Sequence, residues 1–268
     1  MTVNRVLFFI LSRICKDCVK IFTVYPEELH MALGQSFNRF EKKYLLTKTE
    51  KDELVDFLSQ YLTFDDYSKT DYYTIFNIYY DTEDQNIIRQ SIDGPPYKAK
   101  LRLRSYTCPV EPSDLVFLEI KKKIEGKVTK RRVIMTYDEA VLFVSKGKRP
   151  IVADYMSNQV LNEIEYYLKR NKVRPNYYIA YERRAMADAE NLLRVTIDKK
   201  IDIRREDISF LVCGGYSMLP KDHYLIEIKS EANFPNWLAN KLSEMKLYAR
   251  SFSKYGEAYR MSIQGDEF

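Results

Sequence analysis

The chain has only two histidines in 268 residues, His30 and His223, and neither is placed near a candidate serine or cysteine nucleophile. Triad-type catalysis therefore lacks its usual general base. Cysteine is scarce as well: Cys15, Cys18, Cys108 and Cys213 are too few and too unevenly spaced for a disulfide scaffold in a chain this long. A reducing cytoplasm is the expected compartment. Cys15 and Cys18 form a Cys-x-x-Cys, but a zinc site needs further ligands that two histidines do not readily supply. Long apolar runs are missing too. The N-terminal run Val6 to Leu11 is followed by Arg13, Lys16 and Lys20. It falls short of the roughly 20 apolar residues of a membrane span and of the signal-peptide pattern. No integral membrane segment is expected, and no internal repeat or low-complexity segment interrupts the chain.

What is present is charge in the wrong places for an ordinary core. Residues 98 to 106 put Lys98, Lys100, Arg102 and Arg104 on one face of a strand and Ala99, Leu101 and Leu103 on the other. The alternation returns with Glu119, Lys121 and Lys123 against Leu118 and Ile120. It returns again with Arg194, Thr196 and Asp198 against Val195 and Ile197, and with Glu227 and Lys229 against Ile226 and Ile228. Such strands usually form a sheet with one solvated face. Here the polar positions are rich in arginine, whose planar fork suits phosphate and carboxylate, and Glu-x-Lys recurs at Glu41/Lys43, Glu119/Lys121 and Glu227/Lys229. If the polar faces converge, like charges about 4 Å apart repel by roughly 4 kcal/mol per pair at an effective dielectric near 20. An interior of that kind needs anions and water. The net charge of +5, from 43 basic and 38 acidic residues, favours anionic partners only mildly, so the placement of the charge matters more than its sum.

Hydrophobic content of 46% and charged content of 30% fit one large globular domain beginning near Phe37, so the chain divides into an N-terminal extension, 1–36, disordered or helical, and a domain, 37–268. A capping box, Thr47-x-x-Glu50, opens a helix over 47–62. Strands are expected near 72–80, 98–106, 116–123, 127–136, 176–186, 192–203 and 223–230. A turn or short helix is expected over 83–92, and helices over 138–145, 154–170 and 235–248, the last opening on a proline. Asp81 and Asp93 read as turn residues.

Eight motifs in order carry a resemblance. They are Arg39-Phe-Glu-Lys-Lys-Tyr44, Tyr79-Tyr-Asp-Thr82, Lys100-Leu-Arg-Leu-Arg104, Phe117-Leu-Glu-Ile-Lys121, Tyr181-Glu-Arg-Arg184, Arg194-Val-Thr-Ile-Asp198, Leu225-Ile-Glu-Ile-Lys229 and Ser251-Phe-Ser-Lys-Tyr255. Over residues 37–260 the chain resembles the catalytic domain of the vacuolar transporter chaperone (VTC) family, the polyphosphate polymerases of the triphosphate tunnel metalloenzyme, or CYTH-like, superfamily, and more closely its soluble bacterial members. The resemblance implies an α+β fold in which a closed antiparallel β-barrel of about eight strands encloses a tunnel, with helices packed outside. It implies ATP and inorganic polyphosphate as partners, Mn²⁺ or Mg²⁺ as cofactor, and transfer of the γ-phosphoryl group of ATP to a growing chain.

By position, the resemblance assigns catalytic roles to Lys43, Arg102, Arg104, Lys121 and Lys254, and a metal to Glu227. Phosphate binding falls to Arg39, Arg89, Lys100, Lys123 and Arg183, and strand parity adds Arg194 and Lys229, with Glu119 as a second metal-binding carboxylate. No general base is required, because a terminal phosphate already carries an anionic oxygen. One departure bears on the chemistry: related triphosphatases and adenylyl cyclases carry Glu-x-Glu-x-Lys in the first strand, and here Phe40-Glu-Lys-Lys43 has a single carboxylate, which argues against a two-metal hydrolase. The rival readings are a tripolyphosphate or polyphosphate hydrolase of the same fold and a non-catalytic polyphosphate-binding module. Nucleic acid is not expected, since a tunnel excludes duplexes and no base-stacking aromatic ladder is evident. No protein partner is named by the sequence.

Overall fold

Alternating strands and capped helices build one sheet clothed by helices. The computed structural model describes residues 40–125 and 127–264. Arg39, the N-terminal extension and the Cys15/Cys18 pair lie outside the described residues. In chain order the elements are β1 (Phe40–Thr47), α1 (Lys48–Leu58), β2 (Thr63–Phe64), β3 (Tyr73–Asp81), α2 (Asn86–Asp93), β4 (Tyr97–Ser105), β5 (Leu115–Ile124) and β6 (Lys127–Thr136). There follow α3 (Tyr137–Lys146), α4 (Tyr155–Arg170), β7 (Arg174–Ala187), β8 (Leu193–Arg204), β9 (Tyr216–Ser217), β10 (His223–Ser230), α5 (Asn236–Glu244) and α6 (Lys254–Gln264).

Local chemistry sets the helix starts. Thr47 and Glu50 form the capping box expected for α1, and Thr136 and Glu139 form a second one that opens α3. Asp81 does more than turn the chain. Its buried carboxylate accepts from the backbone N–H groups of Ile87 and Ile88 at 2.9 and 3.0 Å, so it caps α2 from the end of the preceding strand. Two helical expectations change. The helix opened by Pro235 stops at Glu244, because Lys246 turns to a left-handed φ of 54°. The stretch after it, with Lys254 at its head, is a further helix, α6, which the sequence pattern did not announce.

All pairings are antiparallel, and the hydrogen-bonded path runs β1-β10-β8-β7-β3-β4-β5-β6, with β2 beside β7 and β9 beside β8. The expected barrel closure is corrected in one respect: among the described residues no ladder joins β1 to β6, so the sheet is not closed by hydrogen bonds. The outer edge of β1 is met instead by the segment leading into α6. There the Arg250 N–H donates to the Lys43 carbonyl at 2.8 Å, and the Lys43 ammonium donates to the Phe252 carbonyl at 3.0 Å. The protein is therefore an α+β fold with one ten-stranded antiparallel sheet.

Three apolar clusters divide the sheet's faces. On the outer face, Leu101, Leu103, Leu118 and Val133 pack under Phe143 of α3 and Leu161 and Ile164 of α4. Tyr44, Leu46, Val195, Ile197, Ile226 and Ile228 pack under Leu54 and Leu58 of α1 and Leu238 and Leu242 of α5. Each such buried side chain is worth about 1.5–3 kcal/mol. The third cluster occupies the inner face: Ile75, Tyr177, Ile179, Ile201 and Leu225 pack against Tyr255 and Ala258 of α6. The last helix thus fills part of the concavity, and the charged residues occupy the rest. Cys108 and Cys213 form a disulfide with Cα atoms 5.8 Å apart, a bond that four scattered cysteines gave no ground to expect. No helix among the described residues is long and apolar enough to cross a membrane.

Candidate active site

Register carries the alternating charges onto one inner face. Across β1, β10 and β8, Lys43 stands opposite Glu227 and Glu227 opposite Thr196; one step along, Glu41 faces Lys229, and Lys229 faces Arg194. Asp198 of β8 faces Arg183 of β7. On the other wing Tyr79, Arg102, Glu119 and Arg132 share a row across β3, β4, β5 and β6, and Lys100, Lys121 and Lys130 share the next. The two wings meet. Glu41 of β1 and Glu227 of β10 both act on the Lys121 ammonium of β5, although no backbone ladder joins those strands.

The first wing is a web of compensated ions. The Lys43 ammonium lies 3.0 Å from Glu41 Oε1 and 3.5 Å from Glu227 Oε2, while Lys229 takes Glu227 Oε1. Asp198, fully buried, receives the Arg183 guanidinium in a two-point grip, Nε to Oδ1 at 2.6 Å and Nη2 to Oδ2 at 2.8 Å, and the Lys254 ammonium as well. Burial pushes the Glu227 carboxyl up, yet Lys229, Lys43, Arg183 and Lys254 outweigh it and hold it well below the usual carboxylate range. Burial likewise works against the Arg183 charge, and Asp198 and Tyr181 overcome it, leaving Arg183 well above its ordinary value. Lys43 also rises, because Glu227 and Glu41 outweigh its burial.

The second wing centres on Glu119. Its oxygens are held by Arg102 and, at 2.8 Å, by Lys130, so the carboxyl stays well below its usual value despite burial. Arg102 also reaches the Tyr79 hydroxyl at 3.3 Å. Arg104 donates to Asn77 Oδ1 at 3.0 Å and to the Tyr181 hydroxyl at 3.4 Å. Burial would raise the Tyr181 phenol, but Arg183, Arg104 and Lys254 bring it below its ordinary value. Beyond this row lysine faces lysine: Lys100 opposite Lys121, and Lys98 opposite Lys123. Burial, then Lys121 and Lys98, bring Lys100 down to about 8 against the pull of Tyr79 and Asp81, and its ammonium lies 5.4 Å over the Tyr255 ring.

Of the residues singled out from the sequence, Lys43, Arg102, Arg104, Lys121, Arg183, Lys254, Lys100, Lys229, Glu227 and Glu119 are brought to this inner face. Lys123 lies at its exposed rim. Arg194 turns aside to Asp65 at 2.8 Å. Arg89 is not brought in: it sits on the exposed side of α2, 3.6 Å from Asp84. The Glu-x-Lys repeat is an internal pair at Glu41/Lys43 and Glu227/Lys229, whereas Glu119 bonds Arg102 and Lys130 rather than Lys121. Sequence reasoning passed over Asp198, Tyr181, Asn77 and Lys130. Strand parity already put Asp198 on the polar face; the others needed the register.

Among the described residues no group of three or more Asp, Glu, His or Cys stands ready for a metal. Glu41 and Glu227 are inner-face carboxylates that both reach the Lys43 ammonium. That donor set suits a Mg²⁺-like ion, which is commonly held by one or two carboxylates together with substrate phosphates.

Three solved structures share coarse likeness. A putative adenylate cyclase from Bacillus halodurans is 15% identical, with a TM-score of 0.49, 80% of this chain and 92% of that one covered. A putative adenylate cyclase from Vibrio parahaemolyticus is 12% identical, with a TM-score of 0.41 over 84% and 99%. The Schizosaccharomyces pombe Mediator head module is 10% identical, with a TM-score of 0.38 over 78% and 90%. Among curated proteins no sequence matches the chain. The VTC domain profile matches residues 38–263, nearly the whole of the described fold, and the chain belongs to the VTC domain family.

Proposed function

We propose that this protein is a metal-dependent polyphosphate polymerase that works inside a tunnel formed by the curled sheet. The observation that carries the reading is the basic inner face: Lys43, Arg183, Lys254, Arg102, Arg104, Lys121 and Lys229 converge on one concavity, more positive charge than Glu41, Glu119, Asp198 and Glu227 neutralise. Enclosure is supported by the action of Glu41 and Glu227 on Lys121 across the unladdered side. Membership of the VTC family supports phosphoryl chemistry as the use of this charge.

The step needs alignment and charge neutralisation rather than a covalent intermediate. A terminal oxygen of polyphosphate attacks the γ-phosphorus of ATP and forms the new P–O bond. The bond from that phosphorus to the β,γ-bridging oxygen breaks, its electron pair leaves with ADP, and the chain is one phosphate longer. Arg183, locked by Asp198, and Arg102, locked by Glu119, present their guanidinium groups in fixed orientations to the triphosphate oxygens. Lys254 and Lys43 flank the transferring group, and Lys100 and Lys121 hold the acceptor chain. Glu227 and Glu41 would hold Mn²⁺ or Mg²⁺, which would supply charge neutralisation for the triphosphate. Glu119 serves as the group that orients Arg102.

The test is incubation of the purified protein with ATP and Mn²⁺, with products resolved on a gel stained for polyphosphate, beside Lys121→Ala and Glu227→Ala. Long chains from the wild type, reduced on the order of a hundred-fold or more in both variants, are expected for lost transition-state contacts. Orthophosphate without chain growth would instead make the protein a hydrolase, and tripolyphosphate binding without turnover would make it a binding module.

A further inference from the structure

We infer that Thr196 is a further substrate-contacting residue, whose hydroxyl donates a hydrogen bond to an anionic phosphate oxygen beside Glu227. This rests on the reading of the inner face as a triphosphate site. The polar side chains of β8 that share this face are Arg194, Thr196 and Asp198. Arg194 is bound to Asp65 and Asp198 to Arg183 and Lys254. Thr196 is only 3% exposed, yet among the described residues its hydroxyl meets no hydrogen-bond partner.

Its neighbours explain why none is at hand. The register sets Thr196 opposite Glu227 on one side and Ala185 on the other. Alanine offers no polar side-chain atom, and the oxygens of Glu227 are directed to Lys229 and Lys43 rather than to the threonine. A buried hydroxyl left unmade is costly, and a strand would accept valine at the same place with the same shape. A threonine there is a stability defect unless something else takes its proton.

The surroundings say what that something is. Glu227 beside it feels four cations, Lys229, Lys43, Arg183 and Lys254, while the carboxylates among them are Glu41, Asp198 and Glu227 itself. The balance favours an anion. A neutral O–H is a directional donor to an anionic oxygen, and it adds to the cations what they lack, a fixed angle of approach. Thr196 would therefore orient a phosphate that the lysines and arginines attract.

The test uses the full chain with Thr196→Val, which removes the hydroxyl at nearly constant shape, and Thr196→Ser, which keeps it. Thermal unfolding without ligand and calorimetric titration with tripolyphosphate are both measured. The valine variant is expected to melt no lower than the wild type and to bind tripolyphosphate roughly ten-fold or more weakly, as for one hydrogen bond to a charged group. The serine variant should bind within about two- to three-fold of the wild type. A valine variant that melts several degrees lower would show a structural partner for the hydroxyl and overturn the inference. So would one that binds tripolyphosphate as tightly as the wild type does. If the wild type itself fails to bind tripolyphosphate, the reading of the inner face falls and this inference with it, a result distinct from wild-type binding that the valine variant shares.

Discussion

Lys43 and Lys100 are both inner-face lysines on strands of the same sheet, and their surroundings push them in opposite directions. Lys43 stands against Glu41 and Glu227 and is raised above its ordinary value. Lys100 stands against Lys121, with Lys98 two residues along, and falls to about 8. The same division separates Arg183, raised by Asp198, from Lys121, an exposed side chain that the surrounding protein, Lys229 and Arg102 nonetheless lower in spite of Glu41 and Glu227. One wing is nearly compensated, four cations against three carboxylates, and holds its own geometry; the other sets lysine against lysine and keeps more positive charge in reserve. Like charges opposed across neighbouring strands destabilise a sheet, so a lysine-faced wing is tolerable chiefly where an anion completes it.

The largest break in this contrast should come from Asp198→Ala. It leaves Arg183 and Lys254 buried without their partner, and loss of one member of a buried ion pair costs about 3–5 kcal/mol, read as a lower midpoint in denaturant unfolding. The same loss should appear on acidification of the wild type. The Asp198 and Glu227 carboxyls are both depressed in the folded protein. Their contribution is present above the ordinary carboxylate range and disappears as pH falls through their lowered values.

Lys121→Met should behave in the opposite sense. Without ligand it is expected to leave stability unchanged or to raise it by up to about 1 kcal/mol, by relieving like-charge opposition. Its tripolyphosphate affinity should nevertheless drop by roughly ten-fold, as for a lost charged contact. A loss of unliganded stability comparable with that of Asp198→Ala would abolish the distinction between the wings.

Titration sharpens it further. Lys100 carries a pKa of about 8 in the folded protein, lowered from 10.5. Between those values the unfolded chain binds more protons, so the stability contribution of this group improves as pH rises through that window. Affinity for tripolyphosphate should fall over the same window, as the ammonium is lost. Lys100→Arg, whose charge does not titrate there, should flatten that fall in a calorimetric pH series.

The smallest effect belongs to neither wing. Thr136→Ala removes the capping box at the start of α3 on the outer face. It should cost about 1 kcal/mol of stability and leave tripolyphosphate binding as it was. A change in binding there would mean that the outer layer tunes the site.

Much of this arrangement is legible in the chain, and the reason is local. Backbone geometry makes strand side chains alternate, so Lys100, Arg102 and Arg104 must share a face, and so must Arg194, Thr196 and Asp198, whatever the fold. Capping at Thr47 is as local as that. The partners are another matter. Parity puts Glu119 and Lys121 on one face, yet register decides that Glu119 bonds Arg102 and Lys130. Arg89, expected from the resemblance to bind phosphate, lies on the exposed side of α2, since a helix surface turns away from a site as readily as toward it. α6 escaped notice because its packing against Ile75, Tyr177 and Leu225 depends on strands far away in sequence.

The sequence by itself determined which residues face together and where most helices begin, because side-chain alternation and capping act over a few residues. Only the tertiary structure decided which charges are compensated, which charges of one wing act on the other, and that one buried threonine hydroxyl is left without an acceptor. Those outcomes depend on register and curvature, which arise from pairing between distant strands and leave no mark on any one of them.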